Sequence, residues 1–284
     1  MKTLANIKKD LEFDKGLLAL LEVLKNISVA QYRILEQNLI TNEKFSNVIS
    51  TFFEFLDIKG IDHPFLNPKE RKQIVIAVTS DSGLLGGLNR RVVTAALKEL
   101  EEVPGRLVIV GERGKSYARE SGVPFVAFGG VREEQRYMQA VQLRDYVVEK
   151  TIKEGIGYLK IVYPKPVSFT VQYVDTVQFL PYTSPETAGG VRKWGLKDII
   201  MESKVSDILE YILYLWIGHR VYEIFGLSRL AEFAARFVHL EESSQKLKDM
   251  DQKLQQEYFR VRHELIDRNM RELFSARLLY ASTH

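Results

Sequence analysis

Glycine and proline are distributed so unevenly that they divide the chain into three parts. Before Gly60 the only breaker is Gly16, and after Gly226 there is neither glycine nor proline as far as His284, whereas all 8 prolines fall in between. Both residues interrupt helices. The two ends can therefore form long helices, and the middle must turn often. The expected fold class is α/β: N- and C-terminal helices forming a long antiparallel coiled coil, with a Rossmann-like α/β domain inserted between them. The expected boundaries are 1–58 for the first helix, 68–190 for the inserted domain and 198–284 for the second helix.

Apolar spacing supports the arms. In the first, Leu4, Ile7, Leu11, Leu18, Leu21, Tyr32, Leu35 and Leu39 follow alternating three- and four-residue steps, with Asp14, Lys25 and Ser28 at skipped positions of the seam. A second stripe, Leu17, Leu20, Leu24, Ile27 and Ile34, widens the apolar face and requires more than one neighbour. In the last arm Leu247, Met250, Leu254, Tyr258, Val261 and Leu265 read as the seam, and Ile266, Met270, Leu273 and Phe274 drift to an adjacent face. A helix from Asp198 to Leu279 would extend ~120 Å at 1.5 Å per residue. The N-terminal arm is its economical partner, and the longer arm's tip needs another protein.

In the middle, "QIVIAVT" (73–79), "RLVIVG" (106–111), "PFVAF" (124–128) and "YLKIVYP" (158–164) read as short buried strands separated by helical segments. This alternation gives a mostly parallel sheet. The segment "SFTVQYVDTVQFLP" reads as an added closing strand.

Two glycine clusters invite a nucleotide-binding reading. In "VIVGERGKSYARES" (108–121) a phosphate cradle needs four residues between its first glycine and Gly114-Lys115; that position is Ile109, and Gly111 comes two residues too late. The stretch reads as a strand-to-helix turn with Lys115 in solvent. In "VTSDSGLLGGLNRRVV" (78–93) a turn at the carboxyl end of the first strand is the correct place for a ligand. Its Gly-x-x-Gly-Gly spacing nevertheless differs from a dinucleotide fingerprint, and a tight turn packed against a helix accounts for it.

Chemistry is otherwise sparse. With no cysteine, thiol catalysis and disulfides are excluded. The five histidines (63, 219, 239, 263, 284) show no metal spacing and are assigned no i,i+4 carboxylate partner, so no metal and no cofactor are expected. Glu133-Glu134 and Glu241-Glu242 read as solvated faces, and no nucleophile, base and orienting group come together. A net charge of +3 argues against a nucleic-acid partner. The apolar run Ile208–Gly218 is too short to span a membrane, and the N-terminus lacks the form of a secretory signal. Arg260, Arg262, Arg268, Arg271 and Arg277 cluster at the tip of the last arm, where they could meet acidic loops of a partner.

Taken together, "TSDSGLLGGLN", "LSRLAEFAARFVHL" and "EYFRVRHELIDRNMRELFSA" resemble, in order and across almost the whole chain, the gamma subunit of F-type ATP synthases, in a divergent or alternative bacterial form. The resemblance implies a non-catalytic central-stalk rotor. Its coiled coil would turn inside a ring of alpha and beta subunits and its α/β foot would sit beside epsilon and the membrane c-ring, coupling proton or sodium ion movement to ATP synthesis or hydrolysis. The implied location is peripheral, on the cytoplasmic face of the inner membrane. Carried over by residue, Arg262, His263 and Ile266 match ring-contacting positions, with His263 where glutamine is usual. Asp81, Gly83, Gly86, Gly87, Leu88 and Asn89 match the foot motif, with Ser82 in place of arginine and Leu85 in place of cysteine. The alternative reading is a small-ligand-binding α/β domain with a dimerising coiled coil.

Overall fold

The computed structural model describes residues 3–40, 63–182 and 204–281. The expected first arm beyond Ile40, the end of the expected inserted domain at 183–190 and the expected helix start at Asp198 lie outside these residues. Described elements run α1 (Leu4–Ile40), β1 (Gln73–Val78), α2 (Leu88–Glu102), β2 (Gly105–Val110), α3 (Glu112–Glu120), β3 (Phe125–Phe128), a single 3-10 turn (Glu133–Gln135), α4 (Arg136–Glu154), β4 (Tyr158–Pro166), β5 (Gln172–Leu180) and α5 (Val205–Ala281). The chain divides into two compact units, Met1–Ile27 with His239–His284, and Ser28–Val238.

The larger unit is built on a five-stranded sheet in the order β3-β2-β1-β4-β5. β1 pairs in parallel with β2 and β4, β2 in parallel with β3, and β5 is antiparallel to β4. The closing strand expected from residues 168–181 is therefore present. Every residue of β1 is buried, as a strand covered on both faces must be. Alternation sends Ile74, Ile76 and Val78 to one core with α4 and the start of α5, and Val75 and Ala77 to a second core with Val92, Val93 and Ala96 of α2 and Ala118 of α3.

The apolar run Ile208–Gly218 finds its use in the first of these cores. Leu209, Leu213, Ile217, Val221 and Ile224 of α5 are fully or almost fully buried there, so the long C-terminal helix begins as a layer of the α/β sandwich. Trp216 packs 5.2 Å from the ring of Phe179 and 5.0 Å from that of Tyr182. Further along, Tyr32 and Leu35 of α1 pack with Leu230, Phe233 and Ala234 of α5. Phe169, at the β4–β5 turn, inserts its ring 4.8 Å from both Tyr32 and Phe237.

The smaller unit pairs the beginning of α1 with the end of α5. Ile7 is fully buried, and Leu4, Leu11, Asp14, Leu18 and Leu21 are at least partly covered, as the heptad steps require. Lys25, a skipped seam position, is also buried: its ammonium lies 2.5 Å from Glu241 of α5 and 2.8 Å from Glu22. Hydrogen bonds to Glu22 and Glu241 raise the Lys25 pKa, and the bond from Lys25 lowers that of Glu241. Glu241 is thus an ion-pair partner, where the sequence reading left it as a solvated face.

On α5 the seam departs from the apolar reading. Leu240, Ser244, Leu247, Asp251, Leu254, Tyr258 and Val261 are among the covered positions, while Met250 and Leu265 are 63% and 48% exposed. Helical phase decides which residue faces inward, and polarity does not override it. Asp251 is buried with one carboxylate oxygen bonded by Gln255 at 2.6 Å and the other without a partner. Replacing it by leucine removes an unsatisfied buried oxygen, a defect costing about 1–3 kcal/mol. Asp251→Leu should accordingly raise the denaturation midpoint of the full chain, and an unchanged or lower midpoint would show that the carboxylate is satisfied in solution.

Candidate functional site

The loops at the carboxyl ends of β1, β2 and β3 meet at Asp81. Its Oδ1 accepts hydrogen bonds from the backbone N–H of Glu112 at 2.9 Å and of Gly130 at 3.1 Å. The first donor is one of the unpaired N–H groups at the start of α3, so Asp81 supplies an anion where a helix N-terminus favours one. A Cβ on Gly130 would collide with that carboxylate. An internal carboxylate thus holds the position that a ligand phosphate would take at this end of an open sheet.

The same interlock explains the other glycine cluster. Thr79 donates from Oγ1 to the Val110 carbonyl at 2.6 Å and accepts from the Gly114 N–H at 3.1 Å. Gly111 adopts φ 102° and lies against the Thr79 backbone, and Gly114 lies against the Thr79 side chain. "GERGKS" is therefore the start of α3 seated on Thr79. Lys115 is not in open solvent, as the sequence reading had it; its side chain is 16% exposed and folds onto Glu112 at 2.5 Å.

Residues 80–89 form a tight turn into α2. Leu84, Gly86 and Gly87 all have positive φ (66°, 56° and 84°), a conformation glycine adopts freely and leucine does not. Asn89 locks the turn: its Oδ1 accepts from the Ser80 N–H at 3.1 Å and its Nδ2 donates to Ser80 Oγ at 2.8 Å. Leu88 is buried, and Leu85 packs with it against Ala235 of α5. Gly83 faces the Arg113 guanidinium, which would stand 3.1 Å from an added Cβ.

Ser82 extends this seat into a charged cluster on α5. Its hydroxyl donates to Glu232 at 3.1 Å and accepts from Arg236 at 2.9 Å. The Glu232 side chain, 5% exposed, also pairs with Arg229 at 2.6 Å and Arg236 at 2.5 Å. Ser82 and Leu85, the two departures from the motif noted in the sequence, thus both face α5. Sequence reading missed Glu232, although Arg229, Glu232 and Arg236 stand at the three- and four-residue spacing that brings side chains together on a helix.

Several other ionisable groups pair within the fold. His219 faces Glu223 four residues on, at 3.2 Å, correcting the reading that no histidine has such a partner. Burial alone would raise the Glu223 pKa; hydrogen bonds from His219 and Arg220 outweigh it and hold the carboxyl below its usual range. Glu133 pairs with Arg136 at 3.2 Å, again not a freely solvated face. Among the described residues no group of three or more His, Asp or Glu could hold a metal ion. An open cleft of about 350 Å³ borders Asp81, but it is lined by Glu133 and Glu134 as well as Arg132 and Arg229, so carboxylates outnumber cations there and a phosphate-bearing ligand is not favoured.

The expected ring-contact residues lie at the other end of α5. Arg262 and His263 are exposed, Ile266 is 44% exposed, and every position from Arg262 to Arg277 is uncovered by the described chain. Arg260 and Arg268 pair with Glu264 and Glu272 along the helix, at 3.8 and 3.1 Å, and Arg262 forms no ion pair with a described residue.

Two terminal helices, a mostly parallel sheet inserted between them and a glycine turn seated on the second helix define the class: an α/β domain carried on helical arms. The ATP synthase family model matches residues 3–277, and the chain belongs to that family. It is 25% identical to the ATP synthase gamma chain of Pelotomaculum thermopropionicum over 96% of this chain and 97% of that protein. With the gamma chain of Desulforudis audaxviator it shares 28% identity over 76% and 77% of the two chains. The resemblance read from the glycine turn and the two helical segments therefore holds, and it is to the gamma chain.

Solved structures agree in fold. A chain of the Euglena gracilis mitochondrial ATP synthase OSCP/F1/c-ring structure superposes with TM-score 0.66 at 19% identity, covering 96% of this chain and 93% of that one. A chain of the Tetrahymena thermophila mitochondrial ATP synthase central stalk and c-ring gives 0.60 at 17% identity, covering 79% and 99%. Among the described residues no helix is long and apolar enough to cross a membrane.

Proposed function

We propose that this chain is the rotating central-stalk subunit of an F-type ATP synthase, coupling proton or sodium ion movement to ATP synthesis or hydrolysis. It is a non-catalytic part of the complex and works on the cytoplasmic face of the membrane. The alpha and beta subunits form the ring around its helical arms, and epsilon and the c-ring meet its α/β foot. Asp81, Gly83, Gly86, Gly87, Leu88 and Asn89 give that foot its shape by holding the first βα turn against α5. Arg262, His263 and Ile266 are the ring contacts.

One observation carries this reading beyond family membership. The last turns of α5 expose Leu265, Ile266, Met270, Leu273 and Phe274 together with several arginines, and no described residue of the chain covers them. Such a mixed apolar and cationic surface is stable in a partner's sleeve and unfavourable in water. Deleting residues 258–284 should lower ion-driven ATP synthesis by the assembled complex by about tenfold or more, equivalent to roughly 1.4 kcal/mol of lost coupling. A truncated complex that makes ATP at the normal yield would remove the tip from the coupling path and leave the foot assignment standing.

A further inference from the structure

The contact between α4 and α5 contains a repeated device that the rotor reading alone does not require. The Arg136 guanidinium sits 4.2 Å from the centre of the Tyr222 ring and donates to its hydroxyl at 2.6 Å. Eight residues later on α4, Arg144 lies 3.7 Å from the centre of the Tyr214 ring and donates to its hydroxyl at 2.6 Å. Tyr214 is eight residues before Tyr222 on α5, so the two clamps pair in reverse order, as antiparallel helices demand. Their separation is about 12 Å along each helix at 1.5 Å per residue.

Each clamp has a carboxylate beside it, one from α4 and one from the turn before it. Asp145 accepts from Arg144 at 2.9 Å and from the Tyr214 hydroxyl at 2.8 Å. Glu133, on the 3-10 turn that leads into α4, lies 3.2 Å from Arg136. The Arg136 side chain is 3% exposed and that of Arg144 11%, so these are covered cations and not surface decoration. Midway between the tyrosines, Gly218 leaves room for the clamp: a Cβ there would stand 3.0 Å from Arg144 Cδ and 3.1 Å from its Nη1.

Apolar ridges in grooves resist separation better than they resist sliding, because a neighbouring groove offers nearly the same contacts. A guanidinium stacked on a ring and bonded to its hydroxyl has no equivalent partner one turn away. One such contact permits pivoting, whereas two fix both register and rotation. We propose that Arg136, Arg144, Tyr214 and Tyr222 are the torque-bearing joint between the α/β foot and the shaft helix. They act as positioning residues that stop the foot from slipping on α5 under load. This inference rests on the rotor reading given above.

The test uses the assembled synthase in vesicles, with ATP hydrolysis and ion uptake measured on the same preparation, protons by a pH-sensitive dye and sodium by isotope. Arg136→Met/Arg144→Met keeps side-chain length and removes the planar cation. The expected result is hydrolysis at the wild-type rate with ions moved per ATP reduced about fivefold or more, the lower end of measured site-to-site couplings. Arg136→Lys/Arg144→Lys should not restore the ratio, since lysine keeps the charge without the fork. Full coupling in the methionine variant, or rescue by lysine, overturns the proposal.

If the methionine variant does not assemble, Tyr214→Phe/Tyr222→Phe carries the test. It retains both rings and deletes the three hydrogen bonds of their hydroxyls, and the ratio should fall with hydrolysis unchanged; an unchanged ratio overturns the joint. Failure of the rotor reading looks different, because the wild-type chain itself would then not join alpha and beta.

Discussion

Glu232→Ala is expected to destabilise the protein severely, by about 3–5 kcal/mol, the range for breaking a buried ion pair from one side. The substitution leaves Arg229 and Arg236 of α5 covered but unneutralised and takes from Ser82 one of its two partners. At the few degrees per kcal/mol typical of chains this size, the thermal midpoint should fall by roughly 10 °C. Glu232→Gln, which can still accept one hydrogen bond, should fall less. A thermal midpoint for Glu232→Ala within a degree or two of wild type, a margin of about 0.5 kcal/mol, would mean that the cluster is solvated and that the glycine turn is held on α5 by Leu85 and Leu88 alone.

Gly111→Ala should do comparable damage through the backbone. At φ 102° and ψ 146° Gly111 occupies a region that side chains essentially never enter, at a cost of about 1–3 kcal/mol. An added Cβ would also lie 2.5 Å from the Thr79 carbonyl oxygen. The loop cannot move aside without giving up the bond from the Gly111 N–H to the Phe128 carbonyl at 3.1 Å, which joins the ends of β2 and β3. The expected outcome is a chain recovered mainly as insoluble protein. Gly16→Ala is the contrasting case: it lies within α1 with nothing near a new Cβ, and should gain about 0.5–1 kcal/mol. Soluble Gly111→Ala with a wild-type midpoint would contradict the described turn.

The arms and the sheet were legible because their signals are periodic. Heptad steps located the α1 seam, including Lys25 and Ser28, which the apolar count alone would have skipped. The four parallel-paired strands announced themselves as short apolar runs between helical segments. What escaped was phase and pairing. Met250 looked like a seam residue and Asp251 did not, yet one step of 100° along a helix separates a covered position from an exposed one.

The role of the run Ile208–Gly218 was invisible for a different reason: an apolar helical stretch can face a sheet or another helix, and spacing does not say which. The glycine turn was found at once, but its charged seat was not, since Ser82 and Glu232 are 150 residues apart in the chain. His219 and Glu223 could have been found from their four-residue spacing. The arginine–tyrosine clamps carry the same eight-residue spacing on both helices, a pattern that acquires meaning only when α4 and α5 are known to pair.

The central claim is that this chain is the shaft of a ring assembly, and the most direct measurement is co-expression with alpha and beta subunits from the same genome, followed by native mass determination of the purified complex. The account predicts one copy of this chain with three copies of each partner. A lone monomer or homodimer, recovered beside correctly folded alpha and beta, would contradict it.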